Sequence, residues 1–375
     1  MYCSKCGNQI LDNGCKAGIN MDKGGTISPK LIDTVEDFIK EIKNDKALWK
    51  NKLDLAWFRG EKYSESKLKP SLFLKKDKIE DPIKKSIYEN EMLQDFRMRA
   101  PAVYNKTPHY DRIDEWLFLA QHLGIPTRLL DWTESALAAL FFAINRALPE
   151  KKNCPKINEQ CNIDSPSPVV WMINPIIFNL VSSFRLFLPL SWNDGTNYYD
   201  KITGELILDE KLIHEDKKKP EIEKKYIWEA CIGNINSCFA SNRSSHIEKY
   251  PTALKPQHIH SRVTAQRGCF TIHGDDERGI EEIFNDKVLI DANYNKVYEY
   301  VANQEYPYCK NIIKDHGSEG KKFNDVYLKR YYINPDPNKL TKMLCDLKML
   351  GIAHSTLFPE LTGLAEELSS TYYSL

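Results

Sequence analysis

The chain has no excess charge of either sign: its 375 residues carry 52 Lys and Arg against 52 Asp and Glu. Without a net field, neither a nucleic-acid backbone nor an anionic membrane is drawn to the molecule as a whole. No apolar run approaches the roughly 18 residues that a membrane span requires. The most apolar stretch, residues 136–144, is far too short. The opening residues, MYCSKCGNQI, lack the apolar core of a secretory signal. The ten cysteines are scattered rather than spaced as a secreted scaffold, so reduced thiols and a cytoplasmic location are expected. A phosphate-loop pattern, GxGxxG, a nucleophile elbow and HExxH are also missing, which disfavours ordinary nucleoside-triphosphate and zinc-protease chemistry. No internal repeat or coiled-coil register is visible.

What is present centres on residues 116–144, WLFLAQHLGIPTRLLDWTESALAALFFAI. Ile113, Trp116, Leu117 and Ala120 form an apolar stripe at helical spacing, and Gly124 with Pro126 marks the exit of that helix. Residues 127–130 read as a short strand. Thr133 stands where an N-cap belongs, with Glu134 in the first turn of a second helix. Ala136, Leu137, Leu140, Phe141 and Ile144 give that helix one apolar face. Gln121, His122, Thr127, Arg128, Asp131 and Trp132 lie between the two. Polar groups confined between apolar helices must be hydrogen-bonded, so they form either a structural network or a site.

At the N-terminus, Cys3 and Cys6 followed by Gly7 make a knuckle in which backbone amides can turn toward two thiolates on one metal. This resembles the opening of a zinc ribbon, with Cys15 as a third ligand and the fourth left open. Residues 1–25 are therefore expected to be a degenerate zinc-ribbon-like segment and linker, either holding zinc or fraying. Thr34 caps a helix carrying Val35, Phe38, Ile39 and Ile42 on one face. Residues 53–58 look extended and lead into Arg59 and Gly60. A helix with the stripe Tyr88, Met92, Leu93 and Phe96 precedes Pro101. Residues 151–168 and 192–258 read as polar insertions, the second with Lys217–Lys219 and Lys224-Lys225 as a solvated face. Val169–Ile173 is a buried strand, residues 262–273 alternate as a strand, and Leu340, Met343, Leu344, Leu347 and Leu350 mark a last helix ended by Gly351. Strands and helices without a βαβ rhythm imply an α+β fold, with a mixed β-sheet core flanked by helices.

Several residues offer chemistry. Arg59, placed at a strand end before Gly60, presents a planar fork suited to phosphate or carboxylate, while the glycine permits a tight turn or a close backbone approach. The alternative is a structural pair between Arg59 and an interior carboxylate such as Asp131. His122 can carry a proton near neutral pH, or hydrogen-bond the last carbonyls of its helix. Trp116 and Trp132 read as core or pocket wall. Cys269 has no base beside it in sequence, which leaves a nucleophilic role as a minor option.

Phe58-Arg59-Gly60, Leu68-Lys69-Pro70-Ser71-Leu72, the run LAQHLGIPTRLLDWTESALAALFFA, residues 262–271 and residues 351–361 together resemble the FRG domain, a bacterial family named for its Phe-Arg-Gly motif. The resemblance implies one FRG domain over residues 30–375, with the two insertions inside it. The order of elements is also similar to arginine-type ADP-ribosyltransferases: an aromatic-Arg-Gly strand, a Thr-bearing strand entering an Ala-aromatic-Ala helix, and a third strand for the acid. That similarity implies NAD bound through Arg59, Gly60, Thr127, Arg128 and Thr133, with Arg59, Asp131, Gln266 and His122 at the reaction. It implies a toxin or phage-defence effector with a protein or nucleic-acid acceptor. Gln266 departs from the pattern, because an amide cannot stabilise an oxocarbenium-like state as a carboxylate would. Asp131 would then serve, or the site binds its nucleotide without cleaving it. Two other functions stay open: a non-catalytic module in which Arg59, Arg128 and Asp131 recognise a phosphorylated or acidic partner, and nucleic-acid modification through the basic middle segment.

Overall fold

The computed structural model describes residues 19–21, 27–47, 55–74, 82–110, 112–147, 167–175, 178, 179, 182, 250–256, 260–274, 276–284 and 328–372. The expected knuckle of Cys3, Cys6 and Cys15 lies outside these residues, as does most of each expected insertion. The first elements are β1 (Ile19–Met21), β2 (Ile27–Pro29), β3 (Leu31–Ile32), α1 (Val35–Ala47), β4 (Trp57–Glu61), α2 (Ser71–Leu74) and α3 (Pro82–Arg99). Then come α4 (Ile113–His122), β5 (Leu129–Thr133), α5 (Ala136–Ala147), β6 (Val169–Ile173), β7 (Thr252–Leu254), α6 (Ser261–Ala265) and β8 (Gly268–Ile272). The chain continues with α7 (Ile280–Ile283), β9 (Leu328–Ile333), α8 (Pro337–Met349), α9 (His354–Leu357) and α10 (Leu361–Tyr372).

Seven strands build one sheet in the order β3-β9-β6-β4-β5-β8-β7, while β1 and β2 pair separately. β3 runs parallel to β9 and the remaining neighbours are antiparallel, so the sheet is mixed. The α+β architecture with helices flanking a mixed sheet is as the sequence implied. One face of the β9-β6-β4 half is covered by α1, α5 and α8, with Phe38, Leu140, Ile144, Met172 and Leu347 fully buried there. Each such side chain contributes about 1.5–3 kcal/mol of hydrophobic stabilisation. The β5-β8-β7 half is covered by α3 and α4, through Leu93, Leu117, Leu129 and Ile272. The opposite face holds Trp57, Trp132, Trp171 and Ile283.

The sheet is weakly joined at its middle. β4 pairs with β6 over five residues and β5 with β8 over five, yet among the described residues a single ladder pair, Phe58 with Thr133, links β4 to β5. Over the same place α5 lies hard against β4. A Cβ at Gly60 would fall 2.0 Å from the carbonyl oxygen of Ala139 and 2.7 Å from the amide nitrogen of Ala143. Gly60 therefore lacks a side chain because a helix backbone occupies that space, and not to form a tight turn.

Other expectations shift. Arg59 stands in the middle of β4, not at its end, because β6 pairs with the whole of β4. The second strand runs from Leu129 through Thr133, so it starts two residues later than the expected span of 127–130 and ends three residues beyond it. Its start is set by the Thr127 hydroxyl, which accepts the Leu129 amide at 3.1 Å and holds residues 127 and 128 in a local turn. Thr133 is consumed by the strand, so Ser135 caps α5 and accepts the Ala138 amide at 3.2 Å. Residues 262–273 are not one strand: α6 comes first, Arg267 turns the chain at φ 49°, and β8 follows. Thr252–Leu254 is a sheet strand and not part of a surface insertion. Tyr88 and Leu350 are exposed rather than part of their helices' apolar faces. Thr34 caps α1 as anticipated, accepting the Asp37 amide at 3.0 Å, and Gly124 leaves α4 at φ 83°.

Candidate functional site

A cleft of about 290 Å³ opens where β4 and β5 part, between α4 and α5 and beneath α6. Arg59, Asp131, His122 and Gln266, which were singled out separately in sequence, all line it, and so do Gly60 and Thr133. Arg146 from α5 and Arg262 from α6 join them, with Phe142 and Phe358 as apolar wall. Asp131 is the only carboxylate among the lining side chains.

Arg59 is held from two sides. Its Nε donates to Glu61 Oε1 at 2.7 Å and one terminal nitrogen donates to the Asp131 backbone carbonyl at 2.7 Å. That carbonyl belongs to the part of β5 where pairing to β4 has ended, so the guanidinium takes over from the ladder. The Asp131 carboxylate is 3.9 Å from the same nitrogen, a looser contact than the sequence reading supposed. The close acidic partner, Glu61, was missed, although residues two apart on a strand share a face. Arg146 makes no ion pair with any described residue and lies 5.9 Å from the Phe142 ring. Protein packed around its guanidinium, and after it the nearby Arg59, lower the Arg146 pKa from the ordinary arginine value. Glu61 offsets the charge of Arg59, so Arg146, crowded by that second guanidinium and without an ion pair among the described residues, is the group in the cleft suited to an anion.

The far wall carries Arg262, whose Nε is 3.3 Å from Glu360 Oε1. His122 stacks on His260 with ring centres 5.5 Å apart, and its Nε2 is 4.0 Å from Glu360. Burial, then Arg262, then His260 lower the His122 pKa, so the ring is neutral near pH 7. Gln266 is the C-terminal cap of α6, and its side-chain nitrogen donates to the Leu357 carbonyl at 3.1 Å. Its backbone carbonyl accepts the Thr133 hydroxyl at 2.6 Å. The amide thus ties α6 to α9 and brings no charge.

Two expected ligand-binding residues do not face the cleft. Arg128 is buried and bound through Nε to both carboxylate oxygens of buried Glu89, at 3.1 and 3.0 Å. A guanidinium so enclosed cannot meet an external partner. Thr127 is fully buried beneath Gln121 and acts on the cleft only through it. Cys269 is buried, and burial raises its thiol pKa well above the ordinary value, which removes the thiolate a nucleophile needs. Among the described residues no group of His, Cys, Asp or Glu is arranged to hold a metal, and no helix is long and apolar enough to cross a membrane.

A mixed sheet split at its centre, with an arginine-rich cleft at the split, defines the α+β domain. Residues 54–152 match the family model of the FRG domain, and the chain carries an FRG domain. The match begins just before β4 and ends just after α5, so Arg59, Gln121, His122, Asp131 and Arg146 lie inside it, while Arg262, Gln266 and Phe358 lie outside. No curated protein and no solved structure matches the chain.

Proposed function

We propose that the cleft of this FRG domain binds a nucleotide, with NAD as the ligand, and that the protein is an ADP-ribosyltransferase-like enzyme. The observation that carries the reading is the meeting of Arg59, Arg146, Arg262 and Asp131 in one cleft walled by Phe142 and Phe358. Arginine forks suit phosphate oxygens, aromatic rings suit a base, and an exposed carboxylate suits a ribose or the positive charge that grows on it. At about 290 Å³ the cleft is at the low end of ligand pockets, so it takes a phosphate, a ribose and part of a base, and a dinucleotide extends past its mouth. Bound NAD supplies the labile ribose–nicotinamide bond. This chain supplies the rest: Arg59 and Arg146 hold phosphate, Arg262 and Phe358 close the far wall, and Asp131 faces the sugar. A role as a toxin or phage-defence effector belongs to the same proposal.

A second reading, a non-catalytic nucleotide- or phosphate-binding module, is favoured by one observation. Gln266 sits at the end of a short helix with its amide bound to Leu357, so the cleft has a single carboxylate where an acid-bearing strand was expected. Calorimetry with NAD and ADP-ribose, run beside an assay for released nicotinamide, separates the two. Binding and release, with release lost in Asp131→Asn while binding persists, fits the enzyme. Binding without release by the parent leaves the module. A folded parent that binds neither ligand sinks both readings. Expression in bacterial cells of the parent and of Asp131→Asn tests the effector role through growth.

A further inference from the structure

Gln121, on the last turn of α4, donates from Nε2 to Asp131 Oδ2 at 2.9 Å, and its Oε1 receives the Thr127 hydroxyl at 2.6 Å. The direction of both bonds is forced. The Thr127 oxygen accepts the Leu129 amide at 3.1 Å, and its one proton goes to Gln121 Oε1, which can only accept and faces it because Nε2 is turned to Asp131. An ionised carboxylate only accepts, so the amide of Gln121 must turn its nitrogen toward Asp131. Thr127 has no exposed surface, which leaves no water to compete for its proton. The side chain of Asp131 is 57 % exposed, and its Oδ1 takes no hydrogen bond from any described residue.

From this we infer that Thr127 and Gln121 are positioning residues that make the Asp131 end of the cleft a hydrogen-bond-acceptor subsite, selecting ligands with a ribose diol over those without one. The inference rests on the nucleotide reading of the cleft and specifies which nucleotides it takes. The arginine end of the same cleft, with Arg146 lacking an ionic partner among the described residues, is indifferent to the sugar. It binds the phosphate of either ligand. Selection resides in the relay alone, because a hydroxyl facing an ionised and fixed acceptor gains a charge-assisted hydrogen bond that a bare ring carbon cannot make.

The test is calorimetry of the full chain with AMP, with its 2′,3′-dideoxy analogue and with inorganic phosphate. The parent is expected to bind AMP about tenfold or more tighter than the dideoxy analogue, the factor that one hydrogen bond to a charged group confers. Thr127→Val removes the hydroxyl that anchors the Gln121 oxygen and frees the amide to swing away from Asp131, and Gln121→Met removes the donor; each is expected to erase the preference while phosphate affinity stays. Thr127→Ser keeps the hydroxyl and is expected to restore the preference. Arg146→Gln is expected to weaken AMP and the dideoxy analogue by the same factor. Circular dichroism and denaturant melts establish that each variant is folded; Gln121→Met stands in if Thr127→Val is not. Equal affinity of the parent for both nucleotides, or a preference that survives Gln121→Met, overturns the inference and leaves nucleotide binding intact. Absence of binding by the folded parent to either nucleotide overturns the nucleotide reading and the inference with it.

Discussion

Substituting Gly60 by alanine tests why the motif that names the family ends in glycine. The added methyl would meet the Ala139 carbonyl oxygen at 2.0 Å and the Ala143 amide nitrogen at 2.7 Å, where real contacts keep to 3.0 Å or more. Relief requires β4 and α5 to part by about 1 Å, taking 2.0 Å to at least 3.0 Å. No rotamer change helps, because both obstructing atoms are helix backbone. Phe58, Leu140, Phe141 and Ile144 pack in the same core cluster and would lose close contact as the layers separate. Overpacking of this kind costs about 1–3 kcal/mol, and a rigid backbone on both sides places it at about 3 kcal/mol. Urea melts of Gly60→Ala against the parent read that loss directly. Shrinking a neighbour should not rescue the variant: Gly60→Ala with Ala139→Gly leaves the same carbonyl in place and loses helix propensity besides. α5 also carries Phe142 and Arg146, so ligand affinity should fall in step with stability. A variant as stable as the parent, or one rescued by Ala139→Gly, would refute the packing explanation and return Gly60 to a direct role beside a ligand.

Three further outcomes are expected. His273 is fully buried with neither ring nitrogen hydrogen-bonded among the described residues, and burial ahead of the Arg128 charge lowers its pKa to about 3. An unfolded histidine titrates near 6.5, so the neutral ring's contribution is whole above that pH and is lost as pH falls toward 3; at pH 5 the loss is about 2 kcal/mol. Denaturant melts of the parent and of His273→Leu between pH 8 and 5, on the order of this window, should show the parent alone bearing that increment, and identical acid slopes would contradict it. Arg128→Ala strands buried Glu89 and should cost about 3–5 kcal/mol, whereas Arg128→Met with Glu89→Leu should lie near the parent; a cost below about 1 kcal/mol for the single variant would show the pair to be solvated. Deleting residues 1–25 should abolish bound zinc without moving the melt of the remainder, and a full-length protein purified without zinc under reducing conditions would count against the cysteine knuckle.

Sequence alone determined whatever depends on near neighbours along the chain. The stripe through Trp116 and Leu117, the Gly124 exit and the Thr34 cap are local geometry, and α4 and α1 stand where those signals put them. Val169–Ile173 was legible because five consecutive apolar residues suit a strand buried on both faces. The FRG match was legible because its residues are contiguous motifs. Tertiary structure decided the rest. That Arg128 faces Glu89 while Arg59 faces Glu61 and Asp131 follows from which strands and helices become neighbours, and no spacing encodes contact between residues 39 or 72 positions apart. Residues 262–273 alternate like a strand, yet the contacts of Gln266 with Thr133 and Leu357 favour a helix and a left-handed turn before β8. Gly60 read as conformational freedom until α5 came to lie upon it. The cleft itself exists because two strands in the centre of one sheet share a single pair, and strand separation is a property of the packed layers, not of either strand.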